Sequence, residues 1–481
     1  MRKILGLSSP TVLALAVALA TAMLATAATG PANFNASARH GNDAEDAIAV
    51  NPTNPSNVVV MSTLPDPDVV SGLSEEVSFN GGKTWTRRVI GAPGDDLGNI
   101  CCDEQLAWDH YGNLWMTYLL NFPNNNVFVA LSTDGGLSFG KVAEIVPTTP
   151  AGSRSPSNSA VKRLHTPDNN PNIYGDQPSI STGPNSVWVS YTSVPSEVIQ
   201  AFGASVSGLG QFGTFGGLET VPTSAGRGDY GDTAVGPNGQ VLVTYQDAVN
   251  GQGGAHIYTA LDPDGLGPRG FDNPQLLAKT NVGGFDYIPA QQHRSVDAEA
   301  NLAWDRSGGP HTGRVYAIWT QESSNESDNT DIMFQYSDDN GTTWTPAVKL
   351  NDDRTANSQF NPAIALDQAT GDVAVSWYDA RNDQGTGGSG DTDGVPNNDV
   401  QIWATDSTNG GATFAPNFRV SAGTSNADDA QSFFDYGDYT HAAFQSGAFY
   451  PAWSDNSNST RDNPDGALHQ LDAYTARVAI P

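Results

Sequence analysis

The chain has 481 residues, with 22 lysines and arginines against 52 aspartates and glutamates, for a formal charge of −30. A field of that sign repels nucleic acid and anionic membranes, which excludes both as partners and favours a solvated acidic surface. With 51 glycines, 30 prolines and only 15% charged residues, the composition fits many short strands joined by turns rather than long helices.

Arg2 and Lys3 precede an apolar run from Thr11 to Leu24, and small residues follow at Ala25-Thr26-Ala27-Ala28. That order predicts a signal peptide over 1–28 and an exported single domain over 29–481. Neither this run nor any later stretch is long enough to predict a membrane span. A secreted, extracellular monomer without membrane insertion is expected. Cys101 and Cys102 are the two cysteines, and they are adjacent. A disulfide framework is excluded, while a vicinal bridge and a pair of buried thiols both stay open.

A pair made of a short apolar strand, a turn and a longer apolar strand then recurs along the chain. It runs from Ala47–Val50 with Val58–Met61 to Leu106–Asp109 with Leu114–Tyr118, then Pro178–Ser181 with Val187–Tyr191. Thr233–Val235 with Val241–Tyr245 and Leu302–Asp305 with Val315–Trp319 come next. Ile364–Asp367 with Val373–Tyr378 and His441–Phe444 with Phe449–Trp453 complete the series. Seven such units, each supplying up to four strands, predict an all-β propeller of seven blades. Six blades with an irregular region is the alternative. After Trp453 one strand is predicted, Ala473 to Ile480, so the extended segment Asn33 to Arg39 is expected to complete the last blade and close the ring.

Four of the units carry Ser-x-Asp/Asn-x-Gly-x-x-aromatic. The copies are Ser78 to Trp85, Ser132 to Phe139, Ser337 to Trp344 and Ser407 to Phe414. The Asp or Asn caps backbone N–H groups within a turn, the glycine takes a left-handed conformation, and the aromatic packs beneath. These residues resemble the Asp-box, or bacterial neuraminidase repeat, of the sialidase superfamily. The resemblance implies a propeller with the boxes away from the working pocket, and an extracellular glycan or polysaccharide as partner.

In a propeller the loops that lead into the innermost strands converge on the central channel. Here they carry Asp43, Glu45 and Asp46, then Cys102, Asp103 and Glu104, then Asp176 and Gln177. Further round stand Tyr230, Asp232, Asp297, Glu299, Asn361, Asp438 and Tyr439. Arg39, His40, Arg227, His293 and Arg294 precede inner strands as well, and each arginine also has an acidic neighbour to pair with. By the resemblance, Arg39, Arg227 and Arg294 would clamp a carboxylate-bearing sugar, and Glu299 with Tyr439 or Tyr230 would form the nucleophile pair. Asp43 or Asp103 would be the acid, while His40, Asp176, His293 and Asp438 would contact substrate. The stretch Arg39-His40-Gly41-Asn42-Asp43 departs from the family's arginine–aliphatic–proline pattern.

Two further readings share the rim: a non-catalytic binding propeller, and a polysaccharide lyase using His293, His40 or Tyr439 as base. Between Asp379 and Asp399 the spacing of Asp379, Asp383, Asp391, Asp393 and Asp399, with glycines between, suits the six to eight oxygen ligands of Ca²⁺. A solvated insertion loop explains the same residues. No zinc motif or phosphate-cradling loop occurs, and no organic cofactor is expected.

Overall fold

The computed structural model describes residues 30–65, 71–121, 126–145, 162–163, 174–224, 226–247 and 251–481. The segment expected to be a signal peptide, 1–28, lies outside them.

Seven sheets follow one another along the chain, and each contains a strand pair legible in the sequence. Blade 1 holds Ala44–Val50, Val58–Thr63, Leu73–Ser78 and Thr86–Ile90. Blade 2 opens with Ile100–Trp108, blade 3 with Tyr174–Thr182, and blade 4 with Gly228–Asp229 and Thr233–Val235. Asn301–Trp304, Gln359–Leu366 and Ala442–Gln445 are the first strands of blades 5, 6 and 7. Each first strand packs against that of the next blade, and the seventh packs against the first. The ring is closed. In blade 7 the outermost strand comes from the N-terminal segment: Asn33–Asn35 runs antiparallel to Asp472–Ala476, with Phe34 opposite Thr475. Among the described residues the helical content is one 3-10 turn, Asp428–Ala430.

The second strands are the core of each blade, buried on both faces, and so nearly uniformly apolar. Trp319, Trp377 and Trp453 fill equivalent places toward the end of theirs, Trp115 and Trp188 stand nearer the start, and all five are fully buried. A buried indole needs an acceptor. In blades 6 and 7 it finds one two residues on, with Trp377 Nε1 donating to Asp379 at 2.7 Å and Trp453 Nε1 to Asp455 at 2.9 Å.

All four boxes fold alike. In each, the serine hydroxyl accepts the N–H of the glycine four residues on at 2.9 Å. The Asp or Asn accepts the N–H four residues beyond itself at 2.8 to 3.0 Å. Gly411, at φ +78°, abuts the preceding blade so closely that a Cβ there would stand 2.5 Å from Phe334. The box therefore links blades at the periphery, remote from the channel.

Candidate functional site

The two ends of the channel are chemically different. At the lead-in end, the innermost strands of blades 1, 2, 3 and 6 carry a bulge at the same place. The register shifts lie between Ala44 and Ala47, Cys102 and Gln105, Asp176 and Ser179, and Phe360 and Ala363. Inside these bulges Glu45, Asp103, Gln177 and Asn361 take φ of 60°, 57°, 42° and 44°. Tyr230 and Glu299, at the matching points of blades 4 and 5, take 51° and 35°. Left-handed backbone costs a non-glycine residue on the order of 1–3 kcal/mol and collects where a site over-determines it. None of the six is glycine. Their side chains are what the positions keep.

Asp438, on the loop into blade 7, lies where these side chains meet. Gln177 Nε2 donates to its carboxylate at 3.3 Å, and its backbone N–H is directed at Glu45 Oε1 at 3.4 Å. Arg294 pairs with Asp438, and its Nη2 stands 3.5 Å from Glu45 Oε1. Next door, Asn361 Nδ2 donates to the carbonyl of Gly437 at 2.9 Å. Arg294 also lies over the ring of Phe434, with its guanidinium carbon 4.7 Å from the centroid.

Arg294 arrives on a hairpin, Asp286–Ile288 with Gln291–Val296, that belongs to no blade. The hairpin is fastened to the loop before blade 7, which lies two blades further round. Asp435 accepts the N–H groups of His293 and Arg294 at 2.7 and 3.1 Å. Gln291 Nε2 donates to the Gly437 carbonyl at 2.8 Å, and Gln291 Oε1 accepts the N–H of Tyr436 at 2.9 Å. The bridge also carries exposed aromatic residues: Phe433 is 85% exposed, Phe285 56% and Tyr287 52%. Phe285 meets Tyr230 edge-on, with ring centroids 6.0 Å apart.

Burial dominates the electrostatics of the mouth. It pushes Glu45 up to about 8, against the pull of Arg294. Asp103 is likewise pushed up to about 8 by burial and then by neighbouring Asp176. Burial followed by Asp229 raises Asp176 to about 7, and Asp229 itself reaches about 6 through burial. Asp297 and Glu299 hydrogen-bond through their carboxyls and both stand well above the ordinary range, chiefly through burial. Two adjoining carboxyls cannot both ionise, so this pair keeps a proton. Burial, reinforced by surrounding carboxyls, also holds the phenols of Tyr230 and Tyr439 protonated.

The residues expected from sequence therefore divide. Asp103, Asp176, Tyr230, Arg294, Asp438 and Tyr439 share the mouth, with Glu299 deeper against Asp297. Arg39 does not join Arg294: it pairs with buried Asp43 at 3.2 Å, and the charge that pulls on Asp43 is Arg39's. His40 turns to Asp465 at 2.6 Å and His293 to Asp435 at 3.0 Å. Arg227 is exposed on the loop before blade 4, with Tyr245 as its charge neighbour. The expected three-arginine clamp is thus not assembled. The expected Glu299–tyrosine pair also differs, since the carboxyls acting most strongly on Tyr439 are Glu45, Asp103 and Glu104, and those on Tyr230 are Asp297 and Asp229. Sequence reasoning did not single out Asp229, Asp435 or the aromatic bridge. The pair Phe433-Phe434 inside an Asp-rich stretch was the available signal.

Cys101 and Cys102 form a disulfide immediately before the Asp103 bulge. In the acidic loop of blade 6, one carboxylate oxygen from each of Asp383, Asp391 and Asp399 lies within 4.8 Å of the others. Asp393 instead takes hydrogen bonds from Asn398 at 2.9 Å and Asn426 at 3.3 Å. Asp379, grouped with these residues by spacing, turns to Trp377 and to Arg381 at 2.8 Å. It is the blade-6 counterpart of Asp455, which is why spacing alone misplaced it.

The opposite end of the channel is a cavity of 690 Å³ lined by residues such as Ile48, Leu106, Trp108, Leu302, Leu366 and Phe444. No carboxylate lines it. Its walls offer shape and apolar contact, with His110 and Arg306 as the ionisable side chains among them.

A family model for the BNR/Asp-box repeat matches residues 335–346, the third box with its flanks. No curated protein matches the chain. Solved structures similar to it include polysaccharide lyase Uly1, at 10% identity over 96% of this chain and 94% of that one, TM-score 0.48. The α-L-arabinanase of Penicillium chrysogenum shares 14% identity over 79% and 98%, TM-score 0.44. The Hadza microbial sialidase Hz136 shares 14% over 88% and 76%, TM-score 0.43. With its closed ring of seven sheets and its four folded boxes, this chain is a seven-bladed β-propeller bearing BNR/Asp-box repeats.

Proposed function

We propose that the protein is an exported, sialidase-like Asp-box propeller that binds a glycan at the lead-in end of its channel and hydrolyses a terminal glycosidic bond there. The observation that carries this reading is the set of bulges that aims acids of near-neutral proton affinity at one mouth, beside exposed aromatic faces. Sugars present apolar C–H faces that stack on aromatic rings and hydroxyls that need acceptors, and both are supplied.

The chemistry follows from proton affinities. Asp103, 7% exposed, keeps its proton near neutrality and can pass it to the leaving oxygen as the anomeric C–O bond breaks. Asp176 and Asp229 ionise at lower pH, so they offset the developing positive charge and take the proton of the water that adds to the anomeric carbon. Elimination beside a uronate would need a phenolate or imidazole base. The Tyr230 and Tyr439 phenols are pushed the other way, which leaves a lyase to the imidazoles of His293 and His40.

The loop around Asp383, Asp391 and Asp399 is assigned to Ca²⁺. Asn398 Oδ1, buried and without a partner among the described residues, adds an oxygen in the same loop. Ion binding there would brace a long insertion.

The deciding experiment is incubation with neutral, amino, sialylated and uronate-containing oligosaccharides, followed by measurement of new reducing ends and of ultraviolet absorbance from unsaturated products. Reducing ends without absorbance support hydrolysis. Absorbance would show a lyase, and binding without any product would reduce the protein to a recognition module.

A further inference from the structure

Resting on the glycan reading, the charge pattern of the mouth narrows the substrate class. We propose that the mouth takes a sugar bearing a free amine, a 2-amino-2-deoxy unit, with its ammonium held between Glu45, Asp438 and the Asp103–Asp176 pair.

The cation inventory comes first. An anionic sugar needs a free guanidinium; around Asp438 the guanidinium present is that of Arg294, while Arg227 lies exposed on the loop before blade 4. Arg294, the arginine the bridge brings in, is already engaged by Asp438 and Glu45. Arg39 is held by Asp43 and His293 by Asp435. A sialic acid or uronate carboxylate would enter a field of like sign in a half-desolvated site, where repulsion is stronger than in water.

The unsatisfied atoms point the same way. Glu45 Oε2, Gln177 Oε1 and Asn361 Oδ1 are buried and have no hydrogen-bond partner among the described residues, and the same holds for two donors, Arg294 Nε and the Tyr439 hydroxyl. Buried polar atoms are nearly always paired in folded proteins, so this concentration at one hub marks where an outside group completes the bonding. The carboxyl and amide oxygens outnumber the two donors, and an ammonium brings three N–H donors together with the charge.

A bare metal ion answers the charge but not the spacing. Among the described residues, three carboxylates approach within the reach of one ion at Asp383, Asp391 and Asp399, in the blade-6 loop and not at the mouth. The mouth's acceptors are spread around the ring, which suits a donor carried on a sugar whose apolar face can lie on the aromatic bridge. Proton linkage adds a signature. An ammonium arriving beside Glu45 and Asp103, both pushed up to about 8 by burial, favours their ionised forms, so binding releases protons.

The test is calorimetry on the intact protein with four ligands of equal length: a glucosamine oligomer, its N-acetylated twin, a neutral glucose oligomer and a sialylated one. The glucosamine oligomer is expected to bind at least about tenfold more tightly than its N-acetylated twin. That ratio should shrink as sodium chloride rises from about 50 to about 500 mM, and proton release should be detectable by changing the buffer. Asp438→Asn should abolish the ratio; selectivity and salt dependence of the unaltered protein decide the matter if that variant does not fold. Equal or tighter binding of the N-acetylated or neutral oligomer overturns the amine and leaves the glycan reading standing. So does calcium binding at the mouth, sensitive to Asp438→Asn, with no preference for the amine. If no oligosaccharide binds, both readings fall.

Discussion

The two mouths of one channel are made by the same seven strands, yet they share almost no chemistry. At the lead-in end the strands are bulged, left-handed at non-glycine residues and crowded with buried carboxyls. At the exit end they are regular and meet in the cavity lined by Ile48, Leu106, Leu302 and Leu366 together with His110 and Arg306. A regular strand places its side chains by alternation, with no freedom in where they aim. A bulge re-aims one residue at the cost of local strain. The acidic mouth therefore carries a local cost that the exit, which no carboxylate lines, does not carry.

That contrast can be broken at either end. The largest effect is expected from Asp103→Asn, which keeps the shape of the mouth but removes its proton donor. Turnover on whichever glycoside proves active should fall about 100-fold or more while binding persists, as read from separate kcat and affinity measurements. Unchanged turnover would move the acid elsewhere, first to the Asp297–Glu299 pair.

Leu302→Ala at the exit should behave in the opposite way. Removing apolar contact from a side chain only 7% exposed should cost about 2 kcal/mol or more in chemical denaturation and leave glycan affinity unchanged. A loss of affinity there would mean the exit cavity takes part in binding.

Stability against pH compares the whole molecule with its acidic mouth. Glu45 and Asp103 at about 8, Asp176 at about 7 and Asp472 at about 8 all hold protons more tightly when folded than when unfolded, chiefly through burial. The folded state thus binds more protons over the interval between the ordinary carboxyl range and pH 8, and stability must fall as pH rises through it. A melting temperature several degrees lower at pH 8 than at pH 5 is expected. The reverse slope would show that these groups are ionised in the folded protein.

The smallest effect concerns the blade-6 loop. Chelation of calcium should lower the melting temperature by a few degrees, and Asp399→Asn should remove the difference between chelated and calcium-supplied protein. No response to calcium would return the loop to a hydrogen-bonded insertion.

The sequence alone favoured seven blades over six and marked the strand pairs within them and the place of each Asp-box, because these depend on local alternation, turn residues and a repeat that recurs every few dozen positions. It also marked the polar run before each inner strand, and so the end of the channel where the buried carboxyls gather. What only the tertiary structure decided is which charges face one another across the ring. Arg39 and Arg294 both precede inner strands, yet one closes on its neighbour Asp43 while the other crosses to Asp438 on a hairpin that spans two blades. Asp379 and Asp383 stand four residues apart, yet one caps a tryptophan and the other faces Asp391 and Asp399. Partners of this kind are set by the closure of the ring and by burial, which act between residues hundreds of positions apart and leave no period in the chain to read.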